Sequence, residues 1–369
     1  KICNEIFGEE NFISNFIWQK NFAPKNDNKY ISLSTEYILM YSKSKKEFNR
    51  GLLPRDEKYN QGYSNPDNDS RGLWTSGSML ATTYSQSGVF EIISPNGKKN
   101  IPPAGRCWRY SKNTVKKLIE ENRIWWGKDG NGVPRVKRFL SEMPQGIVPQ
   151  NLLLYNEVGS NQDGNLELKE LFHAQIFDYP KNTKLINRLI TIANLKKGDI
   201  ILDFFGGSST TAHAVITNNI ENEQIKYILV QLPEKYTDKS GKYTFKTICD
   251  IGEERIRRAA KKIKEETNAD IDYGFRVYKI DSSNMKDVYY KPSDLAQEQL
   301  NLFETNIKED RTSEDLLTQV ILDLGLTLDL KIDEKNILDN KVYFVDENSL
   351  VACFDDDINI DIIDEICKY

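Results

Sequence analysis

A chain of 369 residues with 39% hydrophobic content, 16 Phe, 18 Tyr and 5 Trp can build real cores in two or three domains, which excludes wholesale disorder. Its net charge of -5 conceals an asymmetry: residues 1–150 carry 23 Lys and Arg against 15 Asp and Glu, residues 151–280 carry 19 against 18, and residues 281–369 carry 8 against 22. A basic front suits a polyanion and an acidic tail repels one.

No apolar run approaches the ~20 residues that cross a bilayer, and no signal peptide opens the chain. Five scattered cysteines without a C-x-x-C pair argue for a reduced, cytoplasmic protein and against a zinc site. With His173 and His213 the only histidines, histidine-based metal or triad chemistry has little to work with. The start at Lys1, in mid-pattern, reads as that of a fragment.

In chain order, Phe12–Trp18 and Glu36–Tyr41 read as strands around loop chemistry at Pro24–Asn28. Residues 44–105 lose periodicity and gain Gly, Asn, Ser and Pro, a length that in a folded chain is functional or disordered. A helix is expected around Thr114–Glu121. From Arg71 to Arg138 cations and aromatics interleave: Arg71, Trp74, Arg106, Trp108, Arg109, Arg123, Arg135, Lys137 and Arg138. That alternation suits phosphate contacts with base stacking, although each Trp taken singly fits an ordinary core.

Periodicity then becomes regular. Asn182–Ala193 reads as a helix with Leu185, Ile186, Leu189, Ile190 and Ala193 inward, and Ile200–Leu202 as a buried strand. The strand runs into Asp203, Phe204, Phe205, Gly206, Gly207, Ser208, Ser209, Thr210 and Thr211, a small-residue turn that opens a helix over 210–218. Ligands of parallel α/β sheets sit at such junctions, where backbone N–H groups and a helix N-terminus face a crevice. A second strand, Tyr227–Leu232, leads to Glu234, so two acidic residues end neighbouring strands and fit a nucleoside cofactor. The spacing lacks G-x-G-x-x-G and a Walker Lys, which argues against NAD and ATP. Gly252–Glu266 reads as a charged amphipathic helix, and the tail contains the helix Ser313–Leu324 and a hairpin of Lys341–Val345 with Leu350–Phe354.

These residues resemble the modification subunits of type III restriction systems, adenine-N6 DNA methyltransferases of the β order. Asp203-x-Phe205-x-Gly207-Ser208-x-Thr210-Thr211 is similar to their S-adenosylmethionine motif, and Phe177, Pro180 and Lys181 to the F-x-x-P-K segment that closes over the methionine end. Glu234 matches the ribose-binding position, and further matches run almost end to end, among them Ile6–Phe12, Trp18–Lys20, Pro102–Trp108, Lys137–Leu140 and Ile251–Ile256. The resemblance implies an α/β fold: a Rossmann-like methyltransferase sheet, incomplete at its N-terminal side, with an inserted target-recognition region and a small C-terminal α/β domain. It divides the chain into 1–45 (part of the core), 46–150 (DNA recognition), 151–281 (cofactor half) and 282–369 (partner interaction). It implies S-adenosylmethionine as cofactor, double-stranded DNA as substrate, a homodimer, and a helicase–nuclease restriction subunit as partner.

Three departures stand out. Ser209 occupies a usual Gly, Asn182 a usual Pro, and Thr35-Glu36 a usual His-Asp pair. No segment matches the catalytic D-P-P-Y, so this chain alone is expected to be inactive, with no catalytic residue assigned within it. The rival readings are a non-catalytic recognition fragment or split subunit acting with another polypeptide, and a nucleotide-dependent oxidoreductase.

Overall fold

Alternating and continuous apolar runs become a set of small sheets wrapped by amphipathic helices in the computed structural model. It describes residues 1–24, 29–55, 60–143, 146–221, 224–237, 241–287, 306–356 and 358–369. Residues 25–28 of the expected first loop lie outside the described residues. The chain forms two compact units, Lys1–Gly274 and Phe275–Tyr369.

In the first unit a short helix α1 (Ile2–Phe7) precedes β1 (Phe12–Gln19) and β2 (Thr35–Tyr41), which pair antiparallel with Phe16 opposite Ile38. The chain then leaves this sheet. Short strands β3 (Leu53–Pro54), β4 (Trp74–Ser78), β5 (Ile92–Ile93) and β6 (Lys99–Asn100) occupy the stretch without periodicity. Helix α2 (Lys112–Glu120) follows, capped by the Ser111 hydroxyl on the Thr114 N–H. Next come β7 (Ile124–Trp125), β8 (Arg135–Phe139) and β9 (Gly146–Ile147). Strands β4, β8 and β7 form one antiparallel sheet, β3 pairs with β9, and β5 with β6. This region has its own core of Met79, Ile92, Trp108, Val115, Ile124, Trp126 and Val136.

The chain returns to the first sheet with β10 (Leu152–Leu153), parallel to β1, giving the order β10-β1-β2. After α3 (Tyr155–Val158) and α4 (Asn161–Phe172), helix α5 (Thr183–Ala193) starts at Asn182, whose side chain accepts the Leu185 N–H at 2.8 Å. The Asn that replaces a usual Pro is thus an N-cap. Strand β11 (Ile200–Asp203), helix α6 (Thr210–Asn219) and strand β12 (Lys226–Leu229) form a right-ordered β–α–β unit with parallel strands, followed by α7 (Ile248–Thr267). Helix α5 packs on both strand groups: Leu185 and Ile192 join Phe16, Trp18 and Leu153, while Ile186 and Ile190 join Ile201, Ala214, Val215 and Tyr227.

One face of each strand group is bare. Tyr37 and Leu39 on β2, and Ile200, Leu202 and Ile228 on β11 and β12, are all at least half exposed. Among the described residues β2 bonds only β1 and β11 only β12, so both are edge strands. The observed fold is therefore mixed α/β with several small sheets rather than one continuous sheet.

The second unit is layered. Strands β13 (Ile332–Ile337), β14 (Asn340–Val345) and β15 (Leu350–Cys353) form an antiparallel sheet between α8 (Ser313–Asp323) and α9 (Ile362–Ile366). Alternation along β14 sends Tyr343 and Val345 to Leu317 and Ile321 of α8, and Val342 and Phe344 to Ile362 of α9. The expected hairpin is present, and β13 is a strand that the sequence reading did not anticipate.

Three expected DNA contacts are built into the interior instead. Trp74 and Trp108 are each 3% exposed and Lys137 2%. The Lys137 ammonium pairs with Asp67 and, at 2.9 Å, with Asp69, and lies over the Trp74 ring. Asp69 also takes the Arg71 guanidinium at 2.7 Å, and the bonds from Arg71 first and then Lys137 outweigh burial and hold its carboxyl well below the usual range. Removing one partner of a buried ion pair strands the other's charge. Lys137→Met is therefore expected to lower unfolding stability by about 3 kcal/mol in denaturant titration. A change under about 0.5 kcal/mol would place the ammonium in solvent.

Candidate cofactor site

The turn after β11 is shaped by backbone geometry that most side chains resist. Gly207 has φ +52° and Ser209 φ +59°, ψ 37°, both left-handed. Glycine takes this conformation freely, whereas a residue with Cβ carries a cost of about 1 kcal/mol or more. Ser209 nevertheless sits there, 7% exposed, as the residue before α6 and without a capping bond from its own hydroxyl. Its Oγ comes 2.5 Å from where a Cβ on Gly252 would stand, which is why that point of α7 carries none.

Several bonds fix the turn. The Gly206 N–H donates to the Val230 carbonyl at 3.0 Å and the Gly207 N–H to Gln231 Oε1 at 2.8 Å, tying the turn to the loop that continues to Glu234. Asp203 closes it from within: Oδ1 accepts the Phe205 N–H at 3.1 Å and Oδ2 the Thr211 hydroxyl at 2.6 Å. Each oxygen retains a second lone pair for a ligand. A Cβ on Gly207 would meet nothing nearer than Phe205 O at 3.7 Å and Phe177 Cζ at 3.8 Å, so the glycine backbone lies open to close approach. Phe204 and Phe205 are 62% and 83% exposed beside it.

Beneath the turn lies Arg255 of α7, fully buried. Its Nη1 donates to Ser208 Oγ at 3.0 Å and Thr210 Oγ1 at 2.7 Å, and Nη2 reaches Glu167 of α4 at 3.5 Å. Burial pulls the guanidinium down to about 10 against the attraction of Glu167, so it stays charged at neutrality. Burial likewise pushes the Glu167 carboxyl up, against the Thr183 N–H and hydroxyl that it accepts. Sequence reading missed Arg255 and Gln231. The available signal was a cation within the apolar stripe Ile251, Gly252, Ile256, Ala259, Ala260 and Ile263 of α7. His213, on α6, is pulled down to about 3 by burial and by the Arg255 and Lys262 charges, so it is a neutral packing residue near pH 7.

Of the other expected cofactor residues, Phe177 and Lys181 lie against the turn. The Thr210 hydroxyl donates to the Lys181 carbonyl at 3.1 Å, Pro180 is buried, and Phe177 approaches Gly207. Glu234 is exposed on the loop between β12 and α7, its carbonyl accepting the Ile248 N–H.

The expected DNA contacts divide. Arg71 is occupied by Asp69, by the Glu121 and Asn122 carbonyls and by the Phe139 ring, and Arg123 by Glu142 and Glu121. Arg106, Arg109, Arg135 and Arg138 are exposed, with Arg135 steadied by the Ser76 hydroxyl at 2.8 Å. Among the described residues, no group of three or more His, Cys, Asp or Glu side chains is placed to hold a metal, and no helix is long and apolar enough to cross a membrane.

The glycine turn at the end of β11 is thus fastened to a preceding Pro-Lys segment. The sequence model of the DNA methylase family, the N6/N4 methyltransferases, matches residues 1–262, and the chain belongs to that family. Among individual relatives, it is 33% identical over 286 residues to the type III restriction-modification enzyme StyLTI Mod subunit of Salmonella typhimurium, covering 75% of this chain and 42% of that protein. It is 29% identical to the EcoP15I Mod subunit of Escherichia coli, covering 94% and 57%, and 26% identical to the EcoPI Mod subunit of Escherichia phage P1, covering 75% and 47%. The chain thus spans about half the length of these curated relatives.

Arg255→Met is expected to leave Glu167 and two hydroxyls stranded and to cost about 3–5 kcal/mol in chemical unfolding. Retention of wild-type stability would show that the guanidinium does not hold the turn.

Proposed function

We propose that this chain supplies the cofactor-binding and target-recognition portion of a site-specific adenine-N6 DNA methyltransferase, the modification subunit of a type III restriction-modification system. The observation that carries the reading is the glycine turn at 206–207, open at Gly207, organised by Asp203 and fastened to Lys181 through Thr210. When bound, S-adenosylmethionine supplies an electrophilic methyl group. The chain's own residues then divide the work. Gly207 lets the cofactor approach the backbone, Glu234 accepts the ribose hydroxyls, and Phe177, Pro180 and Lys181 enclose the methionine end.

Holding the adenine requires an acceptor for its amine protons and a ring to stack on it. The free edges of β2 and β11 suit additional strands carrying those groups, since an edge strand presents unpaired backbone N–H and C=O groups that another strand can bond. Completion of the sheet there would give the Rossmann-like core. Exposed Arg106, Arg109, Arg135 and Arg138 are the proposed DNA contacts, and a second copy of the chain and a helicase–nuclease restriction subunit the proposed protein partners. The names of the three relatives above, each a Mod subunit, support this reading over a non-catalytic recognition module.

Labelled S-adenosylmethionine is expected to bind the full-length protein saturably, and Asp203→Ala to weaken it at least about tenfold by loosening the turn. Absence of saturable binding by the wild type would sink the cofactor reading. For DNA, Arg106→Ala and Arg109→Ala are each expected to weaken binding across sequences and to shallow the salt dependence of the affinity by about one unit in log–log slope. An unchanged slope in a salt titration of both variants would remove these arginines from the phosphate contacts.

A further inference from the structure

The ammonium of Lys181 is not left to wander at the mouth of the turn. It is 2.8 Å from Glu36 Oε2, at the start of β2, and 4.8 Å from the centre of the Trp18 ring. Trp18 is itself buried, 1% exposed with its indole N–H on the Gly159 carbonyl at 2.9 Å. The second Glu36 oxygen receives Lys20 at 2.8 Å. Burial pushes the Glu36 carboxyl up, but the bonds and charges of Lys181 and Lys20 outweigh it, so Glu36 is ionised at neutrality. One carboxylate is thus shared by two ammonium groups, and the cluster keeps one surplus positive charge beside the cofactor turn.

We infer that Glu36 is a positioning residue: it orders the Lys181 side chain so that its ammonium meets the carboxylate at the amino-acid end of the cofactor. This rests on the cofactor reading above. A lysine stem has four rotatable carbons and loses considerable freedom when its head is held, so an ion pair and an aromatic floor that hold it beforehand remove that loss from ligand binding. The surplus charge is screened at these exposed groups, and it is the geometry that supplies direction. Neutralising Glu36 would also raise the local positive charge. Lys181 and Glu36 are 45% and 39% exposed, however, so that gain is screened and the loss of order dominates.

The test separates the two ends of the ligand. S-adenosylmethionine and S-adenosylhomocysteine carry the amino-acid end, whereas 5′-methylthioadenosine lacks it. By titration calorimetry on the full-length protein, Glu36→Gln is expected to weaken the first two about tenfold and to leave the third within about twofold. Lys181→Met should give the same pattern, and the double variant should be no weaker than Lys181→Met alone. Lys20→Met, which leaves Lys181 anchored, should leave all three affinities within about twofold. Equal weakening of all three ligands by Glu36→Gln, no weakening of any, or additive losses in the double variant would overturn the positioning role while leaving the cofactor site standing. Failure of the wild type to bind any of the three would overturn the cofactor reading and this inference with it.

Discussion

A single buried guanidinium sets the geometry on which the candidate site depends. The turn asks for left-handed backbone at Gly207 and again at Ser209, and serine resists it. Arg255 meets the resistance from below, bonding the hydroxyls on either side of Ser209 and a carboxylate on α4. Glu167 in turn accepts the N–H and hydroxyl of Thr183, the first residue of α5. One fork of donors therefore ties the turn to α4, α5 and α7. A lysine, with one compact head, has no planar fork to do this. The burial penalty on such a charge is large, and it is met only because three partners converge on the group.

The same helix start governs access. Asn182 caps α5, Lys181 precedes it, and α5 then lies under both strand groups, so the lysine is placed between β2 and the turn by the helix that joins them. Glu36 on β2 and Thr210 on α6 hold Lys181 from opposite sides, through its ammonium and its carbonyl. The bare faces of both groups lie away from the helices, and strand alternation requires this: Ile38, Met40, Ile201 and Tyr227 take the helix side, and Tyr37, Leu39, Ile200 and Ile228 the other.

Local signals were legible in the sequence because local physics controls them. The helix from Thr183, the strand into Asp203 and the turn through Thr211 follow from apolar spacing, a cap and small residues, and each was found within a residue or two. The tail hairpin was found too, while β13 was missed because Ile332–Ile337 alternates only loosely between charged and apolar residues. Long-range pairings were invisible. Nothing near Arg255 in the chain points to Ser208, Thr210 or Glu167, and Glu36 gives no sign of facing a lysine 145 positions away. The continuous sheet expected from the resemblance resolves among the described residues into separate strand groups, since each strand bonds only the neighbours available to it.

The basic front half was read as a field for a polyanion, and the structure changes how that charge should be weighed. Lys137, Arg71 and Arg123 are matched inside the region by Asp67, Asp69, Glu121 and Glu142. A cation held this way contributes little at a distance, because its partner cancels the field within a few ångströms and the solvent screens the rest. The excess that a distant phosphate senses belongs to exposed groups such as Arg106, Arg109, Arg135 and Arg138. Interleaved cations and aromatics in a sequence therefore describe two populations: those that stack and pair within the region, and those that remain on its surface. Pairing and burial separate them, and both are properties of the fold rather than of the pattern.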